Sequence, residues 1–458
     1  MSKDYQIDMT KGSVFGVLLQ FSIPLICSSV LQLLFNAADV IVVGRFAGDN
    51  SLAAVGSTTA LINLLVNLFV GLSVGTTVVA ANFFGSNRND DLSQTVHTAI
   101  LISFIGGIIL SVVGVVFSKQ ILLLIKAPEE VLDLATTYLK IYFAGITPTI
   151  VYNFGCALLR AKGDTKRPLY VLLFAGLVNV VLNLIFVIVF KMNVAGVAIA
   201  TVISQIVAAT FIIKFLCSEK SSFKLVFSKL RINIPIFIKI VKIGVPAGFQ
   251  GIIFSLSNVI IQSAINSFGA NIVAANSAAA NLEGFVYIAM NGFSQGSLTF
   301  VSQNLGAQKY DRIKKSVGIS LLCILIVGLL LGNIIVLFGE LLLQLYSKSP
   351  IVIDYGMNRL KIISSTFVLC GLMDAMGNII RGLGRSFLPM IITLIGACGV
   401  RILWLQTIFA IPKFHTCEMI YISYPVSWIL TFIALLVSYF LIVRKWKLRP
   451  CIEKDSVI

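Results

Sequence analysis

Charge is scarce in this chain. Asp, Glu, Lys and Arg make up 12% of its 458 residues, about half the share of a soluble domain. That excludes water as the main solvent around it. Histidine is scarcer still. His97 and His415 are the only two, each near the end of an apolar run and without the partners a metal site requires. No G-x-x-x-x-G-K loop occurs, so the phosphate cradle of an ATPase is missing, and no paired Asp-rich motif marks a membrane transferase. The eight cysteines (Cys27, Cys156, Cys217, Cys323, Cys370, Cys398, Cys417, Cys451) have no C-x-x-C spacing. They read as small buried hydrophobes rather than metal ligands or disulfide partners. Residues 1–11 are polar with mixed charge and carry no cleavable signal pattern, so the first apolar run is expected to remain as a span.

What the chain does have is hydrophobic length and repetition. Hydrophobic residues reach 58%, in runs of about 20 residues or more, enough to cross a bilayer core. A shift of 221 positions superposes Leu139-Lys140-Ile141 on Leu360-Lys361-Ile362, Arg160 on Arg381, Gly163 on Gly384 and Pro168 on Pro389. Gly71, Gly75 and Gly85 likewise fall on Gly292, Gly296 and Gly306. Glycine and proline fix backbone geometry, so the shared spacing predicts two similarly folded halves. A duplicated helical bundle is a common build of secondary transporters, with the substrate path between the halves.

Twelve spans are predicted, near 14–43, 52–81, 96–117, 131–159, 168–190, 194–216, 238–267, 273–302, 317–338, 351–380, 387–411 and 419–443. The expected fold is an all-α integral membrane protein of two pseudo-symmetric six-helix lobes, 1–217 and 238–458, joined by a basic cytoplasmic linker at 218–237. An open sheet would leave its edges unpaired in lipid. Pro24 and Pro246 sit at the same place in the first helix of each half, where bends are expected. With loops assigned alternately, 25 of the 35 Lys and Arg residues fall on one side. The positive-inside rule then puts both termini in the cytoplasm. The net charge of +16 is therefore a topology signal, and nucleic acid is not an expected partner.

Three acids lie well inside apolar runs: Asp39, Glu283 and Asp374. An unpaired carboxylate there costs about 2.5–3.5 kcal/mol on insertion scales, so such groups face cavities and act, or are neutralised. At 1.5 Å per residue, Asp39 lies about 8 Å below the end of its span, and Thr201 about 10 Å from the start of its own. Asn183 lies about 22 Å and Asn179 about 16 Å from the opposite end of theirs, one turn apart on one helix face. Asp39, Asn183 and Thr201 thus occupy similar levels. A carboxylate, two amide oxygens and a hydroxyl suit Na⁺, and the carboxylate alone suits a proton. Hydrogen bonding between helices is the alternative use of the two asparagines. In the second half, Glu283 and Arg401 each lie about 15 Å from their outer span ends, so a Glu283–Arg401 pair is expected. At the repeat-related places Val400 and Trp404 replace Asn179 and Asn183, which puts ion coupling in the first half.

The chain resembles a prokaryotic multidrug and toxic compound extrusion (MATE) transporter over essentially its whole length. The residues that carry the likeness are Pro24 to Gly44 with Asp39 before Val40-Ile41-Val42-Val43-Gly44-Arg45, the loop Arg160-Ala161-Lys162-Gly163-Asp164-Thr165, Asn179 to Asn183, Gly196 to Gln205, and Gln303-Asn304-Leu305-Gly306. The resemblance implies two six-helix lobes around a central cavity in the bacterial cytoplasmic membrane, with no enzymatic activity and no cofactor. It also implies antiport of amphipathic, often cationic small molecules against H⁺ or Na⁺ by a functional monomer in contact with membrane lipid. It gives Asp39 the role of coupling residue, with Asn179, Asn183 and Thr201 as companions. The family pattern has an acid where Asn183 stands, and losing one carboxylate tilts the expectation towards H⁺. Another branch uses acids in the seventh and tenth helices. Asp374 matches the second of these, and nothing near Phe254 matches the first. A lipid-linked oligosaccharide flippase of the same superfamily is the alternative, opposed because Arg401 stands nearly alone at mid-depth.

Overall fold

The computed structural model describes residues 5–124 and 128–446. Cys451 and most of the basic tail lie outside them. Among the described residues the chain is helical throughout, with no strand, as a chain in hydrocarbon must be to pair every backbone group internally. The first half comprises α1 (Val14–Phe46), α2 (Asp49–Gly85), α3 (Asn89–Leu124), α4 (Glu129–Ala144), α5 (Ile146–Lys162), α6 (Lys166–Leu184) and α7 (Asn193–Cys217). The second comprises α8 (Ile234–Asn266), α9 (Ala270–Gly306), α10 (Tyr310–Leu337), the short α11 (Gly339–Gln344), α12 (Pro350–Thr366), α13 (Val368–Gly382), α14 (Phe387–Thr393), α15 (Val400–Gln406) and α16 (Cys417–Trp446). Among the described residues ten helices are long and apolar enough to cross a membrane, and twelve spans result when two bent pairs are each counted as one. The expected spans 131–159 and 351–380 are those pairs: α4 with α5 is bent by 49° and α12 with α13 by 42°. Gly145 and Phe367 mark the breaks.

The duplication extends to the backbone. Left-handed residues recur at the same offset: Gly48 with Gly269, Asn87 with Gln308, and Gly163 with Gly384. Gly163 needs its lack of a side chain twice over. Its φ is 93°, and a Cβ there would lie 2.1 Å from the Ile7 carbonyl oxygen.

The described chain divides into two compact units whose borders fall inside helices. One holds 27–248 with 5–8, and the other holds 9–26 with the residues from Phe249 onward. The sequence places the division at 218–237 instead. Each unit thus contains the opening segment of the other half's first helix, cut close to Pro24 and Pro246. In the first unit, Gly71 and Gly75 of α2 admit the opening segment of α8. A Cβ on Gly71 would sit 2.2 Å from Gly248 N, and one on Gly75 2.4 Å from the Ile240 carbonyl oxygen. In the second unit, Gly292 and Gly296 of α9 admit α1 in the same way, against Ile26 and Ser22. The linker is no loose tether. Phe223 and Leu225 are buried in the first unit, and Val226 N–H donates to His97 Nε2 at 3.1 Å.

No described cysteine is paired. Cys27 is exposed, which corrects the expectation that all are buried.

Candidate functional site

In the first unit, the four expected site residues come together as one hydrogen-bonded series. Gly176 on α6 admits the Phe35 ring, since a Cβ there would lie 2.0 Å from it. This lets the second part of α1 come close to α6, one turn before Asn179. Asn183 Nδ2 then donates to Asp39 Oδ1 at 2.5 Å and to Asn179 Oδ1 at 3.3 Å. Asn179 Nδ2 donates to Thr201 Oγ1 of α7 at 3.4 Å. The Thr201 hydroxyl proton is committed to the Val197 carbonyl at 2.9 Å. A π-helical turn at Ile185–Val189 follows directly, an irregularity frequent at functional sites.

Asp39 is half-buried, while Asn179 and Asn183 are buried. Its hydrogen-bond partner is neutral, and among the described residues it makes no ion pair. One atom is left over: Asn183 Oδ1 is buried with no partner, and an orphaned buried acceptor has a real cost. A carboxylate beside a spare amide oxygen is a hard-oxygen donor set that fits an alkali cation or a proton. No group of three or more His, Cys, Asp or Glu that could hold a metal ion exists among the described residues. Tyr138 of α4 is buried and stacked on Tyr142. Sequence reasoning missed it, although the repeat marks its position.

The repeat partner of Tyr138 is Arg359, which overturns the expected Glu283–Arg401 pair. Arg359 takes Glu283 instead, with Nη2–Oε2 at 2.6 Å and Nε–Oε1 at 3.1 Å, and its Nη1 donates to Asn276 Oδ1. Equal depth was a poor guide because α12 also packs on α9, and Arg359 reaches the acid first. Both partners are almost wholly buried, so Glu283 is structurally committed. Arg401 donates to Ser427 Oγ at 2.8 Å and lies over the Tyr424 ring, 4.2 Å from its centroid. Asp374 is half-buried and accepts from Ser294 Oγ at 2.8 Å and Asn291 Nδ2 at 3.2 Å. Asn378, which donates to Ser294 Oγ, carries Arg381 on its own oxygen.

The motif 160–165 has a structural explanation in the first unit. Asp164 Oδ1 accepts the backbone N–H groups of Lys166 and Arg167, each at 3.1 Å, starting α6. Its other oxygen takes Arg167 Nε. Glu219, just past α7, binds Lys162 Nζ at 2.7 Å and Arg167 Nη2 at 2.6 Å.

The family model MatE matches residues 24–185 and 246–405, once in each half. Over 96% of both chains, the sequence is 26% identical to a Bacillus subtilis protein named probable multidrug resistance protein YoeA. It is 27% identical to the FAD transporter of Shewanella oneidensis, over 74% of this chain and 76% of that one. Among solved structures, an outward-facing multidrug resistance MATE family transporter of the MOP superfamily aligns with TM-score 0.91 at 20% identity, over 97% of this chain and 99% of that one.

Proposed function

We propose a function from one premise: the chain belongs to the MatE family. It is a multi-span membrane transporter and not an enzyme. Within that class, the reading the geometry supports best is export of small amphipathic compounds, organic cations among them, driven by a proton gradient. The observation that carries it is Asp39 inside a span, hydrogen-bonded to a neutral amide and without an ion pair among the described residues. An acid so placed has no fixed counter-ion, so gaining or losing a proton changes what α1 and α6 can offer each other. The amide N–H of Asn183 occupies the position where a second oxygen ligand would point. Protonating Asp39 removes the acceptor charge that strengthens that bond. Both termini are assigned to the cytoplasm, and the chain to the bacterial cytoplasmic membrane, on the distribution of Lys and Arg.

A second reading has its own observation. The orphaned Asn183 Oδ1, together with the Asp39 carboxylate, would serve Na⁺ after a small amide rotation. The name of the YoeA relative supports drug export, and that of the Shewanella relative supports widening the substrate range to organic anions. The flippase alternative gains nothing from the relatives reported above. Dye extrusion from proteoliposomes under an imposed H⁺ or Na⁺ gradient separates the two ions. Asp39→Asn is expected to fold and to lose gradient-driven efflux; undiminished efflux in that variant rejects the site.

A further inference from the structure

The linker between the halves is pinned to the first unit so that one set of its residues is buried and another displayed. Phe223, Leu225 and Ile236 are buried. Asn233 caps α8 through Ile236 N–H at 3.1 Å, and its own N–H donates to Thr98 Oγ1 of α3 at 3.1 Å. On the outer face, large apolar residues alternate with cations. Phe227 is 63% and Ile232 38% exposed in the linker, and Ile234 59% and Ile238 56% in the first turns of α8 that follow it. Between them Lys229 and Arg231 are exposed, and neither makes an ion pair among the described residues. Water alone does not favour such a face, because four exposed apolar side chains gain nothing from it.

Behind this face lies a cavity of about 590 Å³, lined by Asp90, Gln94 and His97 of α3 and by Lys229, Leu230 and Arg231 of the linker. Both ring nitrogens of His97 are engaged, by Ser93 O and Val226 N–H, so the ring is wall rather than ligand. Two cations and one carboxylate leave a net positive charge that suits a phosphodiester monoanion, with Asp90 as acceptor for hydroxyl groups on the same molecule. The apolar rim decides the source. A free phosphate needs no hydrophobic neighbours, whereas a phospholipid presents its headgroup beside acyl chains, where Phe227 and Ile232 would lie.

We propose that the cavity between the start of α3 and the 227–231 segment is a binding site for an anionic phospholipid headgroup, with Lys229 and Arg231 on the phosphate. The test is native mass spectrometry of the purified full chain titrated with phosphatidylglycerol or phosphatidylcholine. The wild type should retain phosphatidylglycerol selectively. Lys229→Gln with Arg231→Gln should weaken that retention about thirtyfold, at roughly fivefold per basic residue near a charged membrane surface, with an unchanged thermal midpoint. Phe227→Ser with Ile232→Ser should weaken it too, and millimolar inorganic phosphate should not displace the lipid. Equal retention of phosphatidylcholine, undiminished retention in either variant, or displacement by phosphate alone overturns the proposal.

Discussion

Two buried ion pairs do different jobs because their settings differ. Arg359 and Glu283 are enclosed among α9, α12 and α16, with the guanidinium over Tyr421 and Tyr424. Removing one partner leaves a bare charge, at a cost of about 3–5 kcal/mol, while replacing both with apolar residues of similar size is often near neutral. Arg359→Met should therefore lower the thermal midpoint in detergent sharply. Adding Glu283→Leu to it should restore most of the loss; failure to restore would mean the pair also sets the packing of α12. Glu219 lies beyond the end of α7, at the water boundary. Burial pushes its carboxyl up, but the hydrogen bonds and charges of Lys162 and Arg167 outweigh that and hold it below the ordinary carboxylate range. The stability it contributes is complete above the unfolded carboxylate's pKa and is lost as pH falls through the lower folded value. The wild-type midpoint should therefore drop on acidification below about pH 4. Glu219→Gln should start lower at pH 7, by about 3 kcal/mol, and show a flatter acid limb.

At the level of helices, the repeated glycines separate what sequence reveals from what it hides. Gly71 and Gly292 were visible as matched punctuation, and so were the twelve apolar runs, because span length and glycine spacing are local properties. The use of those glycines was not visible. Each admits a segment from the other half of the chain, and no periodicity records a contact across 177 residues, as for Gly71 and Gly248, or 266, as for Gly292 and Ile26. The break at Gly145 had a local signal that went unread: Pro148 has no N–H to give the Ala144 carbonyl and its ring crowds that group, while the Val202 side chain, 2.3 Å from a Cβ on Gly145, fills the space beside the break. The break at Phe367 has no proline in its run and was hidden. Arg359 was missed: the 221-residue shift aligns it with Tyr138, but nothing local in so apolar a run shows which face of the span is buried. The two glycines should respond unequally. Gly71→Val drives into the Gly248 backbone, which cannot yield, whereas Gly292→Val meets first the Ile26 side chain, which can change rotamer. Size-exclusion profiles should show loss of the folded peak for Gly71→Val. For Gly292→Val they should show a folded protein weakened by about 1–3 kcal/mol. Equal behaviour would deny that α2 and α8 approach backbone to backbone.

Across the whole chain, the two halves share a backbone but not a charge plan. The first unit has Asp39 inside its spans, bonded to the Asn183 amide and through it and Asn179 to the Thr201 hydroxyl. The second has two acids and three guanidiniums, with Glu283 locked to Arg359 and Asp374 connected to Arg381 through Asn378. A duplicated fold in which one half gives each of its buried acids a cation and the other leaves its acid without one is suited to asymmetric work, in which one half responds to the ion and the other keeps its shape. That division leads to a comparison no single variant supplies. Under an imposed pH gradient in proteoliposomes, Asp39→Asn should abolish the gradient dependence of dye efflux, a fall of at least tenfold. Asp374→Asn should leave more than half of it, because its carboxylate already has a cation one residue away. The fold should survive in both, since each substitution replaces a half-buried carboxylate with an isosteric amide able to accept from the same donors. If Asp374→Asn silences the gradient response and Asp39→Asn does not, the ion acts in the second unit, and the neutral surroundings of Asp39 serve only to join α1 to α6.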